Sequence, residues 1–172
     1  MTGMKKMIYL TLFALALSAC SEDNGNNEMP PEVKWTDRMA TISAQDSLNE
    51  GTTYLSVYSH IYSVTEHRLR DLSATISLRN TSQTERVFIT GADYYHTDGK
   101  LVKSYLDQPI YINPMETTEI MIFEKDQKGG TGGNFIFEWA TKNKNNRPYF
   151  EAVMISAYGR QGLSFTTTGV EL

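Results

Sequence analysis

Cysteine is almost missing: one thiol, Cys20, stands among 172 residues. A single cysteine can form no disulfide within the chain and no cysteine-built metal site, so stability must come from a packed core. Long apolar runs are missing too. The stretch from Met7 to Ala19 has 13 residues, against roughly 20 for a helix that crosses a bilayer. Basic charge is in deficit, with Lys+Arg 16 against Asp+Glu 20 and a net charge of −4, which is not the footprint of nucleic-acid binding. There is no Gly-x-Ser-x-Gly elbow to expose a nucleophilic serine, and no histidine pair four residues apart of the kind that grips zinc from a helix. These absences remove classes of function without supplying one.

What is present begins at the amino terminus. Lys5 and Lys6 lead into the apolar stretch, and Leu17-Ser18-Ala19-Cys20 closes it. A basic start, an apolar segment of about 7–15 residues and small residues at the cut form the layout of a secretory signal. With a cysteine directly after the small residues, positions 17–20 resemble the lipobox of signal-peptidase-II substrates. That resemblance implies removal of residues 1–19, a diacylglycerol on the Cys20 sulfur, and an acyl chain such as palmitate on the new amino terminus. Burial yields about 0.8 kcal/mol per methylene, so two or more chains make a lasting anchor. The first partner expected is therefore a membrane, held through covalent lipid on Cys20. Cleavage removes two lysines and no acid, leaving 14 basic against 20 acidic residues and a net charge of −6. Charge would not draw such a chain to an anionic membrane surface. Ser21 follows the cysteine, rather than the aspartate that resembles an inner-membrane retention signal. This points to an outer-membrane lipoprotein of the cell envelope. The pair Glu22-Asp23 resembles the short export signal of surface lipoproteins, so the domain is expected to face either the periplasm or the exterior.

Residues 20–50 read as the lipidated cysteine and a flexible linker, and 51–172 as the folded domain. The segment 21–34 is polar, Asn-rich and broken by Pro30-Pro31, so it can bury almost nothing. Trp35, Met39 and Ile42 have the spacing of one helical turn or a short leading strand. Beyond Thr52 the period becomes two. Tyr54–Tyr62, Leu72–Arg79 and Val87–Tyr95 alternate apolar with polar or aromatic side chains, as half-buried strands do. His96-Thr97-Asp98-Gly99 reads as a hairpin turn, returned by Lys100–Leu106. Tyr111-Ile112, Ile120–Phe123, Phe135–Ala140, Phe150–Tyr158 and Leu163–Thr168 complete the strands. The expected fold is all-β: an antiparallel β-sandwich of about eight or nine strands.

Three stretches refine this. Residues 74–82, 93–102 and 112–120 hold an asparagine-capped strand, a tyrosine strand entering an Asp-Gly hairpin, and a Pro-x-Glu-Thr turn. They resemble the core of bacterial immunoglobulin-like sandwich modules, which implies that fold and no activity. A wider likeness runs through Tyr-Ser-His-Ile-Tyr (58–62), Tyr-Tyr-His-Thr-Asp-Gly-Lys-Leu-Val (94–102), Gly-Gly-Thr-Gly-Gly-Asn-Phe-Ile-Phe-Glu-Trp (129–139) and Gly-Arg-Gln-Gly-Leu-Ser-Phe (159–165). Together these resemble an uncharacterised bacterial family, the domain of unknown function numbered three-one-two-four. The resemblance implies an envelope protein.

Candidate chemistry is thin. The run Gly129-Gly130-Thr131-Gly132-Gly133 is followed by Asn134 and a strand, not by the lysine and helix of a phosphate cradle, so it reads as a β-connection. His60, His67 and His96 lack ligand spacing, and no metal or other cofactor is expected. Ser59 and His60 are neighbours, but adjacent residues of a strand point to opposite faces. What remains is aromatic: Tyr58, His60, Tyr62, Tyr94, His96 and Arg160 are the ligand-binding candidates, with Tyr58, Tyr62 and Tyr94 as a possible exposed strip. The expected function is a lipid-anchored envelope protein acting as a non-catalytic binding or structural module for a protein or polysaccharide partner. The alternative is a metal-binding protein or hydrolase whose site is assembled from dispersed residues, with His60, His96 and Arg160 the first suspects.

Overall fold

The computed structural model describes residues 34–158 and 161–172. The signal segment, Cys20, the linker as far as residue 33 and Arg160 lie outside the described residues. Twelve strands are found among those described: β1 (Asn49–Ser56), β2 (His60–Ser63), β3 (Thr65–Asp71), β4 (Ser73–Arg79), β5 (Val87–Tyr95), β6 (Leu101–Ser104), β7 (Ile110–Ile112), β8 (Thr117–Ile122), β9 (Asn134–Thr141), β10 (Tyr149–Tyr158), β11 (Gln161–Thr168) and β12 (Val170–Glu171). One antiparallel sheet runs β12-β1-β9-β5-β6 with β7 also on β5; the second runs β11-β10-β4-β8. The protein is an all-β sandwich. The count exceeds eight or nine because β2 and β3 form a separate two-stranded hairpin and β12 is a two-residue addition beside β1.

Period two places the core. Ala74, Ile76 and Leu78 of β4, Ile120 and Ile122 of β8, and Phe150, Ala152 and Met154 of β10 face Leu55, Val87, Ile89, Phe135, Phe137 and Trp139 across the interface. A ring stack crosses it: Tyr94 on Phe135 at 4.8 Å, Phe135 on Phe137 at 5.2 Å, and Phe137 on Phe150 at 4.3 Å. Each such side chain, buried, stabilises by roughly 1.5–3 kcal/mol. Trp139 needs room at the edge of this core. Gly51 gives it, since a Cβ there would lie 2.2 Å from the indole, and the indole N–H is met by Thr53 Oγ1 at 2.9 Å.

The registers define two ends. Asn49, Val87 and Thr141 lie together at one, and Ser56, Tyr95 and Asn134 at the other. Described chain enters at the first. Trp35–Arg38 form one 3-10 turn, Trp35 rests partly buried on the core, Ala40 N–H donates to Pro109 O at 2.8 Å, and Arg38 pairs with Glu116 at 3.0 Å. Within the span read as linker, residues 35–40 are thus held along β7. At the same end the buried Asn80 amide donates to the carbonyls of Glu85, Ile112 and Asn113 at 2.8–3.0 Å, tying the two turns together.

Candidate functional site

The opposite end carries all the sequence candidates that fall in the described residues. Tyr54–Tyr62 is not one strand. The ladder stops at Ser56, because Val57 N–H donates to Gly133 O (2.9 Å) and Ser59 N–H to Gly130 O (3.2 Å), drawing the chain onto the glycine loop. From there it leaves the sandwich as the β2–β3 hairpin and re-enters at Leu72, whose N–H meets Ser59 O at 2.9 Å.

The glycine run is a buckle. Gly129 N–H donates to Ser59 Oγ at 3.1 Å, and Ser59 Oγ lies 3.0 Å from Tyr94 Oη. Thr97 Oγ1 donates to Gly129 O at 3.0 Å and accepts from Gly132 N–H at 2.8 Å. Amides that would cradle an anion are therefore turned onto hydroxyls of the protein itself. Only glycine fits: a Cβ on Gly129 would sit 1.7 Å from Tyr94 Oη, and Gly130 has a φ of +74°. The Ser59 hydroxyl, wholly buried, faces a phenol rather than an imidazole.

The candidates are brought to one end but not onto one surface. Tyr94 points inward and is 1% exposed. Burial pushes its phenol up, against the pull of the Ser59 bond, and Asp126 adds to the push. Tyr58 is half-buried, edge-on to Phe165 at 5.9 Å. Tyr62 is 61% exposed. A strip of Tyr58, Tyr62 and Tyr94 is therefore not formed: Tyr94 belongs to the core. The reason is a bulge in β5 between Ile89 and Gly91. It shifts the inward set from Val87 and Ile89 to Ala92 and Tyr94, leaving Tyr95 on the outer face. His60 opens β2 half-buried, its Nδ1 enclosed without a hydrogen-bond partner. His96 lies in the β5–β6 turn with Nδ1 2.8 Å from Asp98 Oδ1, while Lys100 Nζ is 2.7 Å from Asp98 Oδ2. The Lys100 bond first, and His96 second, hold the Asp98 carboxyl well below the usual range. Among the described residues no group of three or more His, Cys, Asp or Glu is placed to hold a metal ion.

The hairpin itself escaped the sequence reading. Thr65–Asp71 is too charged to show alternation, yet it pairs with β2 through Tyr62↔Leu69 and Ile61↔Arg70. The face with Ile61 packs toward the core. The other presents Tyr62 and Leu69 (50% exposed) side by side, with Val64, 90% exposed, at the tip. Val64 has a φ of +68°, a left-handed conformation that is costly for a β-branched residue. At the hairpin's base Gln127 donates to Asp71 Oδ1 at 3.0 Å. This ties it to a shallow depression lined by Phe123, Lys125, Asp126, Gln127 and Lys128.

The family model described as "Protein of unknown function (DUF3124)" matches residues 50–172, starting one residue into β1. The chain belongs to this family. A second model, the prokaryotic membrane lipoprotein lipid attachment site, matches residues 4–21, the span that contains the lone cysteine. The DUF3124 protein is thus a lipoprotein anchored to a membrane of the cell envelope. No curated protein matches it. Among solved structures it is similar to the crystal structure of Thermotoga maritima 1070, at 12% identity and a TM-score of 0.45, covering 70% of this chain and 92% of that one.

Proposed function

We propose that this lipoprotein binds a protein or polysaccharide partner of the envelope through the hairpin end, without a catalytic step of its own. The observation that carries the reading is the trio Tyr62, Val64 and Leu69, apolar side chains left in solvent on a hairpin that forms its own two-stranded sheet. Exposed apolar groups gathered in one place mark interaction surfaces more often than isolated ones do. The nearby polar groups support it from the other side, because Ser59, Thr97 and the glycine amides already satisfy one another. On this reading, residues 1–19 are the signal, Cys20 carries the diacylglycerol and palmitate, and the polar segment that follows tethers an immunoglobulin-like domain to the outer membrane, facing the periplasm or the exterior. The described chain enters at the end of the sandwich opposite the hairpin. The nine residues of β5 separate the two ends by about 30 Å at roughly 3.3 Å per residue.

The test is photo-crosslinking in intact cells from a probe residue placed at Tyr62, Val64 or Leu69, with Met115 as the control. Met115 is equally open to solvent, at 67% exposed, but lies at the entry end. Discrete adducts are expected from the three hairpin positions and none from Met115. Adducts from Met115 alone, or from none of the four, would overturn the reading. Stoichiometric zinc in the purified protein, lost on His60→Ala or His96→Ala, would instead favour a metal site.

A further inference from the structure

We infer that the partner is a protein that adds an extended, acidic strand to the open edge of β3. This rests on the hairpin end being the binding end, and names what binds there. Among the described residues β3 pairs only with β2, so its second edge is unpaired. The bond from Leu72 N–H to Ser59 O sets the alternation of the ladder. Counting two residues along each strand makes Ile61↔Arg70 a hydrogen-bonded pair and Tyr62↔Leu69 a non-bonded one. The N–H and C=O of Leu69 therefore point away from β2, into solvent. Such an edge is a template for an added strand, whose main chain supplies affinity and whose alternate side chains supply specificity.

Charge selects the strand. Of the arginines in the described residues, Arg38, Arg79 and Arg147 pair with Glu116, Glu151 and Glu171, and Arg86 lies over the Tyr111 ring and bonds Asn113. Arg68 and Arg70, two residues apart on β3, make no ion pair or side-chain hydrogen bond with any described residue. Asp71, beside them, is already engaged by Gln127. Two unmatched guanidinium groups on an otherwise acidic protein complement carboxylates spaced two apart on an incoming strand. They disfavour a second copy of this edge, since antiparallel pairing about Leu69 would set Arg68 opposite Arg70. The intervening side chains of the added strand meet the Tyr62–Leu69 pair, so alternating acidic and apolar residues fit best.

The experiment uses the full-length lipoprotein in detergent micelles and three fluorescent peptides: alternating Glu-Val, alternating Lys-Val, and Glu-Val with every second amide N-methylated. The Glu-Val peptide is expected to bind at least about tenfold tighter than Lys-Val, with methylation costing about the same factor. The double variant Arg68→Glu/Arg70→Glu should reverse the preference, and Arg68→Gln/Arg70→Gln should abolish it, both with unchanged thermal midpoints. Failure of Glu-Val to bind, or binding that survives either the charge reversal or the N-methylation, overturns strand addition. Crosslinks from Tyr62 persisting in that case would show that the hairpin end still binds, by another mode. Their absence as well would remove both readings.

Discussion

The two ends of the sandwich are built from similar parts and put to opposite use. At the entry end polar side chains are spent on joining loops: Asn80 spans two turns, Arg38 closes on Glu116, and Arg86 closes on Asn113 and Tyr111. At the hairpin end the hydroxyls of Ser59, Tyr94 and Thr97 buckle the glycine loop, and the charges beyond it, Arg68 and Arg70, pair with none of the described residues. Both ends carry an exposed non-glycine residue at positive φ, Met115 at +61° and Val64 at +68°. Only the second is β-branched, and it sits at the tip of a two-stranded hairpin. One end is closed on itself; the other is held rigid at its base so that its tip can stay exposed.

That contrast can be broken most severely at the buckle. Gly129→Ala drives a methyl into Tyr94 Oη and should destabilise the domain by about 3 kcal/mol, at the upper end of overpacking costs, read as a lowered denaturant midpoint. The comparable break at the entry end is smaller. Asn80→Ala strands buried carbonyls and should cost about 2 kcal/mol in the same measurement. If the two losses came out equal, or in reverse order, the buckle would not be the stiffer joint.

Removing one hydroxyl grades the effect further. Tyr94→Phe leaves the ring stack and the Gly129–Ser59 bond in place, and should cost about 1 kcal/mol. The same phenols give the hairpin end a pH signature. Burial, with Tyr94 and Asp126 nearby, pushes Tyr105 up to about 12, and Tyr94 is also raised. Between about pH 10, where phenols ionise in the unfolded chain, and about 12 the folded state holds more protons than the unfolded one. Stability therefore falls as pH rises through that window, and is fully present below it. The entry end has the acid counterpart. Burial acts to raise Glu116, but the Asn113 backbone bond and Arg38 outweigh it and the carboxyl is lowered. Its contribution is complete above the unfolded carboxylate range and lost as pH falls through the folded value. Melting curves across pH should show the alkaline loss weakened in Tyr105→Phe and the acid loss weakened in Glu116→Gln.

The smallest expected effect is a gain. Val64→Gly removes a left-handed valine, worth about 1–2 kcal/mol, but adds glycine's chain entropy, leaving about 0.5–1 kcal/mol of stabilisation. Met115→Gly should gain less. Equal gains would mean that the tip of the hairpin carries no special strain.

Much of the architecture was legible in one dimension. The lipid-attachment pattern around Cys20, the period-two runs of β4, β5 and β10, the Asp98-Gly99 turn and the lead of the glycine run into a strand all follow from local chemistry, in which neighbours along the chain decide the outcome. The candidate site was legible only as a set of residues. Val87 and Ile89 alternate in a way that would carry Tyr95 inward; one extra residue at the bulge beside Gly91 turns Tyr94 in instead. The break after Ser56 depends on carbonyls of Gly130 and Gly133, more than seventy residues away. Exposure of Tyr62 and Leu69 comes from a hairpin whose second strand is too charged to announce itself. Composition and period thus determined that this is a lipid-anchored β-sandwich. Which tyrosine is buried, and where an edge stays open, was decided by hydrogen bonds between segments that only the folded chain brings within 3 Å or so of each other.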